Sequence, residues 1–125
     1  MIFIYEPIAN KLGLVLPAKA HIGDEAGHSW NMFCVLLPLA KLSITRKQFM
    51  DEMHARQIGL GVSYEAMHLS SLFRRKGHHE GEFPNAERIA AETVTLPLHP
   101  AITTADIERV CAEMADILTT YRFPA

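Results

Sequence analysis

The sequence predicts an α+β fold: a two-layer α/β sandwich in which a small, mostly antiparallel sheet is covered by about three helices. The expectation rests on one apolar strand, a proline-bounded second strand, and helices that open on threonine caps. Trp30-Asn31-Met32-Phe33-Cys34-Val35-Leu36-Leu37 is a nearly unbroken apolar run that stops at Pro38 and follows Gly27. Such a run reads as a central strand buried on both faces.

Thr45 opens the next element. Thr45-x-x-Gln48 has the capping-box form, and Ile44 ahead of it is placed to staple onto Phe49. Phe49, Met50 and Met53 form the buried stripe of this helix. It is expected to stop near Gln57, with Gly59 as a left-handed cap and Gly61 preventing continuation. Ile58 to Tyr64 then reads as a short strand. Glu65 to Phe83 has no sustained periodicity and reads as a mobile surface loop with one helical turn around Ser70 to Arg75. Pro84 in a first turn, followed by Ala86, Ile89, Ala90 and Thr93, suits a short helix. Val94 to Leu98 reads as an edge or terminal strand because Pro97 and Pro100 supply no ladder donor. In the last helix Ile107, Val110, Cys111, Met114, Ile117, Leu118 and Tyr121 recur at helical spacing, Thr103 is the cap, Asp106 completes the box and Ile102 staples onto Ile107.

Length and composition fit one domain. The 125 residues are 49% hydrophobic and 21% charged, enough for a single core without a metal or disulfide staple. Twelve Lys and Arg against fourteen Asp and Glu give a formal charge of −2, so no basic field exists to hold a nucleic-acid backbone. Cys34 and Cys111 sit among apolar neighbours and suit reduced thiols of a cytoplasmic protein. Ala18-Lys19-Ala20 has the form of a signal-peptidase site, but no basic region precedes it, and Glu6, Pro7, Asn10 and Lys11 interrupt the apolar stretch. A signal peptide is therefore not expected. The run Met32 to Ala40 is far too short to cross a bilayer, so no membrane partner is expected.

Most motifs of hydrolytic, phosphate and metal chemistry are missing. No Gly-x-Ser-x-Gly or comparable cysteine motif frames a nucleophile, and Gly59-Leu60-Gly61 lacks the third glycine or the Lys-Ser/Thr of a phosphate loop. His78, His79, Glu80 and Glu82 cluster without the spacing of a closed zinc site, and neighbouring side chains of an extended loop point apart. No metal is expected. Arg74-Arg75-Lys76 reads as a solvated charge run, with a contact to a phosphate group of a substrate as its alternative, and Met32, Met50, Met53 and Met114 as core filler. The informative segment is Gly61-Val62-Ser63-Tyr64-Glu65-Ala66-Met67-His68, where a strand end delivers a hydroxyl, a phenol, a carboxylate and an imidazole to a loop. Tyr64 and His68 can each donate and accept hydrogen bonds to a polyhydroxylated ligand, and Glu65 can hold a cation or a sugar hydroxyl. The plain alternative is that Tyr64 packs under the loop while His68 caps a turn.

That segment and its flanks resemble the C-terminal small domain of the DegT/DnrJ/StrS family of pyridoxal-phosphate-dependent sugar aminotransferases. The ordered pieces are His28-Ser29-Trp30-Asn31-Met32-Phe33, Ile44-Thr45-Arg46 through Gly59-Leu60-Gly61, and Tyr64 to His68 with Leu69 and Phe73. Gly81-Glu82-Phe83-Pro84-Asn85-Ala86-Glu87-Arg88, Thr95-Leu96-Pro97-Leu98-His99-Pro100 and Thr103-Thr104-Ala105-Asp106-Ile107 follow. The resemblance implies a lead-in over residues 1–25 and a small domain over 26–125 of a fold-type I enzyme, packed against a larger domain that holds the cofactor. Met1 to Pro17 resembles the family's approach to the domain more loosely, as a remnant of a longer helix, with Tyr5 and Leu12 as its recognisable points. Two positions depart from the family pattern: Ser63 stands where histidine is common, and Asn31 replaces a strand histidine.

For function, the resemblance implies transfer of an amino group from an amino acid, glutamate being expected, to a nucleotide-linked keto sugar. Ser63, Tyr64, Glu65 and His68 would face the substrate as recognition groups, with no catalytic residue among them. Pyridoxal phosphate belongs to the intact enzyme, and none is expected on this chain alone, because Lys11, Lys19, Lys41, Lys47 and Lys76 all lack the family's lysine context. The chain by itself is then expected to be inactive. A sugar dehydratase of the same family is the near alternative. A free-standing binding module, dimerising through its exposed sheet or the face left uncovered by the missing domain, is the second reading, and a histidine-loop metal protein the distant third.

Overall fold

A computed structural model describes residues 5–18 and 30–124 of the chain. Met1 to Ile4, Lys19 and Ala20 of the cleavage-like tripeptide, and Gly27, His28 and Ser29 of the strand approach lie outside the described residues. The elements in chain order are α1 (Tyr5–Leu12), β1 (Phe33–Leu36), a 3-10 turn (Leu39–Lys41), α2 (Arg46–Ala55), a 3-10 turn (Met67–Leu69), α3 (Ser71–Arg74), α4 (Pro84–Glu92), β2 (Thr93–Leu96) and α5 (Thr104–Thr120). This is an α+β fold, as the sequence predicts, with five α-helices among the described residues. None of the described helices is long and apolar enough to cross a membrane.

The sheet is a single antiparallel pair in which Phe33 faces Leu96 and Val35 faces Val94. Isolated bridges extend it by one residue on each side, Val15 to Leu36 beyond β1 and Gly61 to Thr95 beyond β2. β2 is therefore an inner strand of this layer and not its edge. Pro97 stands just past the strand, so it removes no donor from the ladder.

Burial alternates along β1: Phe33 and Val35 are buried, while Cys34 and Leu36 are half-buried. The strand thus has one core face, and its apolar run reflects a second face that is only partly covered within this chain. Phe33, Val35, Val94 and Leu96 meet Phe49 and Met53 of α2, together with the full apolar stripe of α5, in one core. Ala9 and Leu12 of α1 and Leu14 just after it join the same core.

Both capping boxes form. The backbone N–H of Gln48 donates to Thr45 Oγ1 at 3.2 Å while that of Thr45 donates to Gln48 Oε1 at 2.9 Å. Thr103 and Asp106 repeat the pattern at 3.2 and 2.9 Å. Each box satisfies donors that the first helical turn leaves unpaired.

The end of α2 differs from expectation. The left-handed residue is Gln57, at φ 62°, and not Gly59. The N–H of Gln57 donates to the His54 carbonyl at 2.8 Å and that of Ile58 to the Met53 carbonyl at 2.9 Å, a Schellman closure. This closure sets Ile58 against Met53, both buried. The left-handed turn consequently falls on the residue just before Ile58, and seating that apolar side chain offsets a cost of about 1 kcal/mol for a side chain at positive φ.

Ile58 to Tyr64 is likewise not a strand. It pairs only at Gly61, whose N–H donates to the Thr95 carbonyl at 3.0 Å and whose carbonyl accepts from Thr95 at 2.8 Å. A β-carbon at position 61 would lie 3.3 Å from Thr95 Cβ, so glycine allows this close approach.

Segment 65–83 is more ordered than a plain loop. It contains a 3-10 turn and α3, and it buries Ala66 and His68. The helix after Pro84 forms, but its apolar positions are not seated: no α4 residue is buried, Ile89 is 49% exposed, and Thr93 is buried as the first residue of β2.

Candidate functional site

Gly61 to His68 leaves the outer edge of β2 and reaches the first turn of α4. Its first half is anchored by the Gly61–Thr95 bridge and by Ser63, whose hydroxyl lies 2.8 Å from Thr95 Oγ1. Thr95 Oγ1 in turn lies 3.4 Å from Cys34 Sγ. The chain Ser63–Thr95–Cys34 sits on the half-covered face of the sheet, where alternation along paired strands puts Cys34 opposite Thr95.

Tyr64, next to Ser63, is 71% exposed, and its hydroxyl approaches Met32 Sδ at 3.9 Å. It does not pack under the loop. Glu65 is exposed. The structure therefore holds Ser63 by its side chain and leaves the phenol and carboxylate of its two successors in solvent, the arrangement of groups available to a ligand.

His68 faces the other way. It is 7% exposed, its Nε2 lies 2.9 Å from Glu87 Oε1, and its ring meets the Phe83 ring edge-on at 4.9 Å. It caps no helix. Glu87 also accepts from the N–H of Gly81 at 2.8 and 3.0 Å and from that of Phe83 at 3.3 Å. These contacts hold its carboxyl below the ordinary range, the His68 hydrogen bond contributing most and the backbone donors adding to it against desolvation.

The four expected site residues thus share one short segment but divide in setting: Tyr64 and Glu65 are open, while Ser63 and His68 are engaged with β2 and α4. Thr95 and Glu87, which hold them, escape a reading of the sequence. Glu87 carries one faint signal, an acidic residue in the first turn after Pro84. Thr95 carries none, because its role follows from strand register.

The histidine-rich turn is a clasp. His78 Nδ1 lies 2.9 Å from Glu82 Oε2, and the His78 ring packs at 5.7 Å from Phe73 and 6.3 Å from Phe83. The Glu82 carboxyl is held below its ordinary range, chiefly by this bond. Among the described residues no group of three or more His, Cys, Asp or Glu side chains is arranged to hold a metal. Both cysteines are free thiols, and burial, with Glu108 nearby, pushes the Cys111 thiol up to about 11. Arg74, Arg75 and Lys76 are exposed, as expected of a solvated run.

The lowered carboxyls carry a pH prediction. A carboxyl depressed in the folded state contributes stability that is complete above the ordinary value, 4.5 for Glu82 and Glu87, and that is lost as pH falls through the folded value. Thermal melts from pH 6 to pH 3 are expected to show the transition falling below about pH 4.5. Glu87→Gln should flatten that fall, and an unaltered acid limb in the variant would remove Glu87 from its cause.

Among the described residues no lysine fits a covalent cofactor site. Lys11, Lys41, Lys47 and Lys76 are all exposed; Lys47 pairs with Asp51 at 2.6 Å, and Lys76 lies 5.9 Å from the Phe73 ring centre. None of the four stands in a water-excluded pocket of the kind that carbonyl chemistry on a lysine needs. Lys19 lies outside the described residues.

Comparison with known proteins places the chain. It is 30% identical over 119 residues to the uncharacterized protein MJ1066 of Methanocaldococcus jannaschii, covering 94% of this chain and 30% of that protein. The aminotransferase TlmJ of Streptoalloteichus hindustanus superposes with a TM-score of 0.68 at 28% identity, over 92% of this chain and 31% of TlmJ. An aminotransferase from Psychrobacter cryohalolentis shares the fold, with a TM-score of 0.74 at 14% identity over 92% of this chain and 32% of its own. The chain spans about a third of the length of the proteins it matches. With residues 4–115 matching across α1, the sheet, the Ser63–His68 segment and most of α5, the chain belongs to the DegT/DnrJ/EryC1/StrS aminotransferase family.

Proposed function

We propose that this chain is the substrate-side domain of a cytoplasmic, pyridoxal-phosphate-dependent aminotransferase that acts on a nucleotide-linked keto sugar. The carrying observation is Tyr64, a phenol 71% exposed on a segment pinned by the Gly61–Thr95 bridge and the Ser63–Thr95 bond. A polar group held out on a fixed backbone recognises a ligand at little entropic cost. Ser63, Tyr64, Glu65 and His68 recognise the sugar, Tyr64 and Glu65 from the open part of the loop, Ser63 from its tie to Thr95 and His68 from the buried junction with Glu87. None of these residues moves a proton in the reaction.

The cofactor supplies the electron sink for amino transfer in the intact enzyme and is held by the other domain. Lys11, Lys41, Lys47 and Lys76 are surface groups, which supports reading the chain alone as inactive and without a covalent cofactor. The experiment is made on the intact enzyme, sized first in source-cell lysate with an antibody against α5. Tyr64→Ala is expected to raise KM for the nucleotide-linked sugar by about tenfold, the loss of one good hydrogen bond and its packing. The half-reaction with the amino-acid donor should be unchanged. An unaltered sugar KM, or an equal loss in both half-reactions, would sink the assignment.

The uncovered apolar surface of α4 favours a second reading. Phe83 at the N-cap of α4 and Ile89 within it are 47% and 49% exposed, and the helix buries no residue. In a free-standing module this face would join a second copy, and an antibody band at 14.0 kDa with a dimeric sedimentation profile would establish that reading.

A further inference from the structure

The contacts of Glu87 exceed what a first-turn helix carboxylate needs. Its Oε1 receives His68 Nε2 at 2.9 Å, and its two oxygens receive the Gly81 N–H at 2.8 and 3.0 Å, with Phe83 N–H at 3.3 Å. Residue 68 opens the excursion over α3 and the histidine turn, and residues 81 and 83 end it. A single carboxylate therefore gathers both ends of a segment whose regular structure is a 3-10 turn and one four-residue helix. Phe83 seals the junction by lying edge-on to the His68 ring, and the His78–Glu82 pair closes the turn inside it.

The same bond decides the chemistry of His68. An ionised carboxylate only accepts hydrogen bonds, so the nitrogen facing it carries the proton. In the neutral ring, Nε2–H toward Glu87 leaves Nδ1 with a lone pair, and Nδ1 has no partner among the described residues. An imidazole that is 7% exposed with one bare nitrogen is a buried acceptor awaiting a donor. The group it would take is an O–H or N–H donor, which suits the hydroxylated ligand proposed above.

We infer that Glu87 is a positioning residue of the substrate side, acting through His68: it fixes Nε2 as the protonated nitrogen and Nδ1 as the acceptor, and ties residues 68, 81 and 83 to α4. The inference deepens the proposed function and rests on it for the identity of the ligand. The tautomer and the tie are properties of the ligand-free chain. They can therefore fail while the sugar assignment stands, and the reverse also holds.

The test is a long-range proton–nitrogen NMR spectrum of the ligand-free chain at pH 8, where free imidazole is neutral. The expected spectrum shows His68 with a protonated Nε2, a slowly exchanging ring proton and a bare Nδ1. In Glu87→Ala the slow ring proton should disappear. Trypsin cleavage at Arg74, Arg75 and Lys76 should rise by about tenfold as the excursion is released, the scale of one lost charge-assisted hydrogen bond. If that variant does not fold, Glu87→Met serves, since methionine keeps the length of the side chain and removes both acceptor oxygens from the three N–H groups. The same loss of the slow proton and the same rise in cleavage are then expected. A protonated Nδ1 in the wild-type chain overturns the inference, as does a slow ring proton or a cleavage rate that both variants leave unchanged.

Discussion

Phe49→Ala is expected to destabilise the chain by about 3–5 kcal/mol and to lower its melting temperature by about 10–20 °C. Phe49 is fully buried, as is Met53 one turn later, in a core shared with β1, β2 and α5. Removing the ring loses its transfer free energy and leaves a cavity that the surrounding helix and sheet cannot fully close. A domain of this size holds about 5–15 kcal/mol in total, so the loss is a large fraction of it. Ile89→Ala on α4 is the control. Ile89 is 49% exposed, and its truncation should change the urea midpoint by no more than about 0.5 kcal/mol equivalent. Equal effects of the two changes would mean that α2 is not seated as described.

Arg46→Met is the second change with a large effect, about 1.5–3 kcal/mol. Arg46 opens α2, and its Nη1 donates to the carbonyl of Ala90 and, at 3.4 Å, to that of Thr93. The final carbonyls of a helix have no partner within it. At the end of α4 the Ile89 carbonyl accepts from Thr93, the Glu92 carbonyl accepts from Leu37 at 3.0 Å, and Ala90 is left to Arg46. The guanidinium thus bolts a helix with no buried residue onto the start of α2. Methionine keeps the apolar stem and removes the donors, which separates the tie from packing. Urea unfolding should show the loss, and amide exchange in the last turn of α4 should quicken more than that in α5. A midpoint within about 0.5 kcal/mol of wild type would show that the bond carries no energy.

These two residues mark the boundary of what the sequence discloses. Phe49 was legible because a helix period, a capping threonine and a staple all lie within a few residues of one another. The same holds for α5, whose apolar stripe is buried from Ile107 to Leu118, with Tyr121 half-buried at its C-cap. Arg46 was not legible, because its partners are 44 and 47 residues away and a surface-type residue announces no such tie.

The site divides in the same way. Ser63, Tyr64, Glu65 and His68 stand out as chemistry-bearing residues at a strand end, and the resemblance of their flanks to one family is a property of the chain as written. Which of them are open is settled by contacts across 32 residues for Ser63 with Thr95 and 19 for His68 with Glu87. The left-handed turn fell on Gln57 and not on the nearby glycine because Ile58 had to reach Met53. The β2 edge was filled because Gly61 could approach Thr95.

The sequence by itself determined the α+β class, the capped helices and the family, all written in local periodicity and short motifs. Tertiary structure alone decided the register, the tie between α2 and α4, and the division of the site into open and held groups. Those depend on which distant polar atoms are brought together once the apolar faces close, and burial then obliges each of them to find a partner.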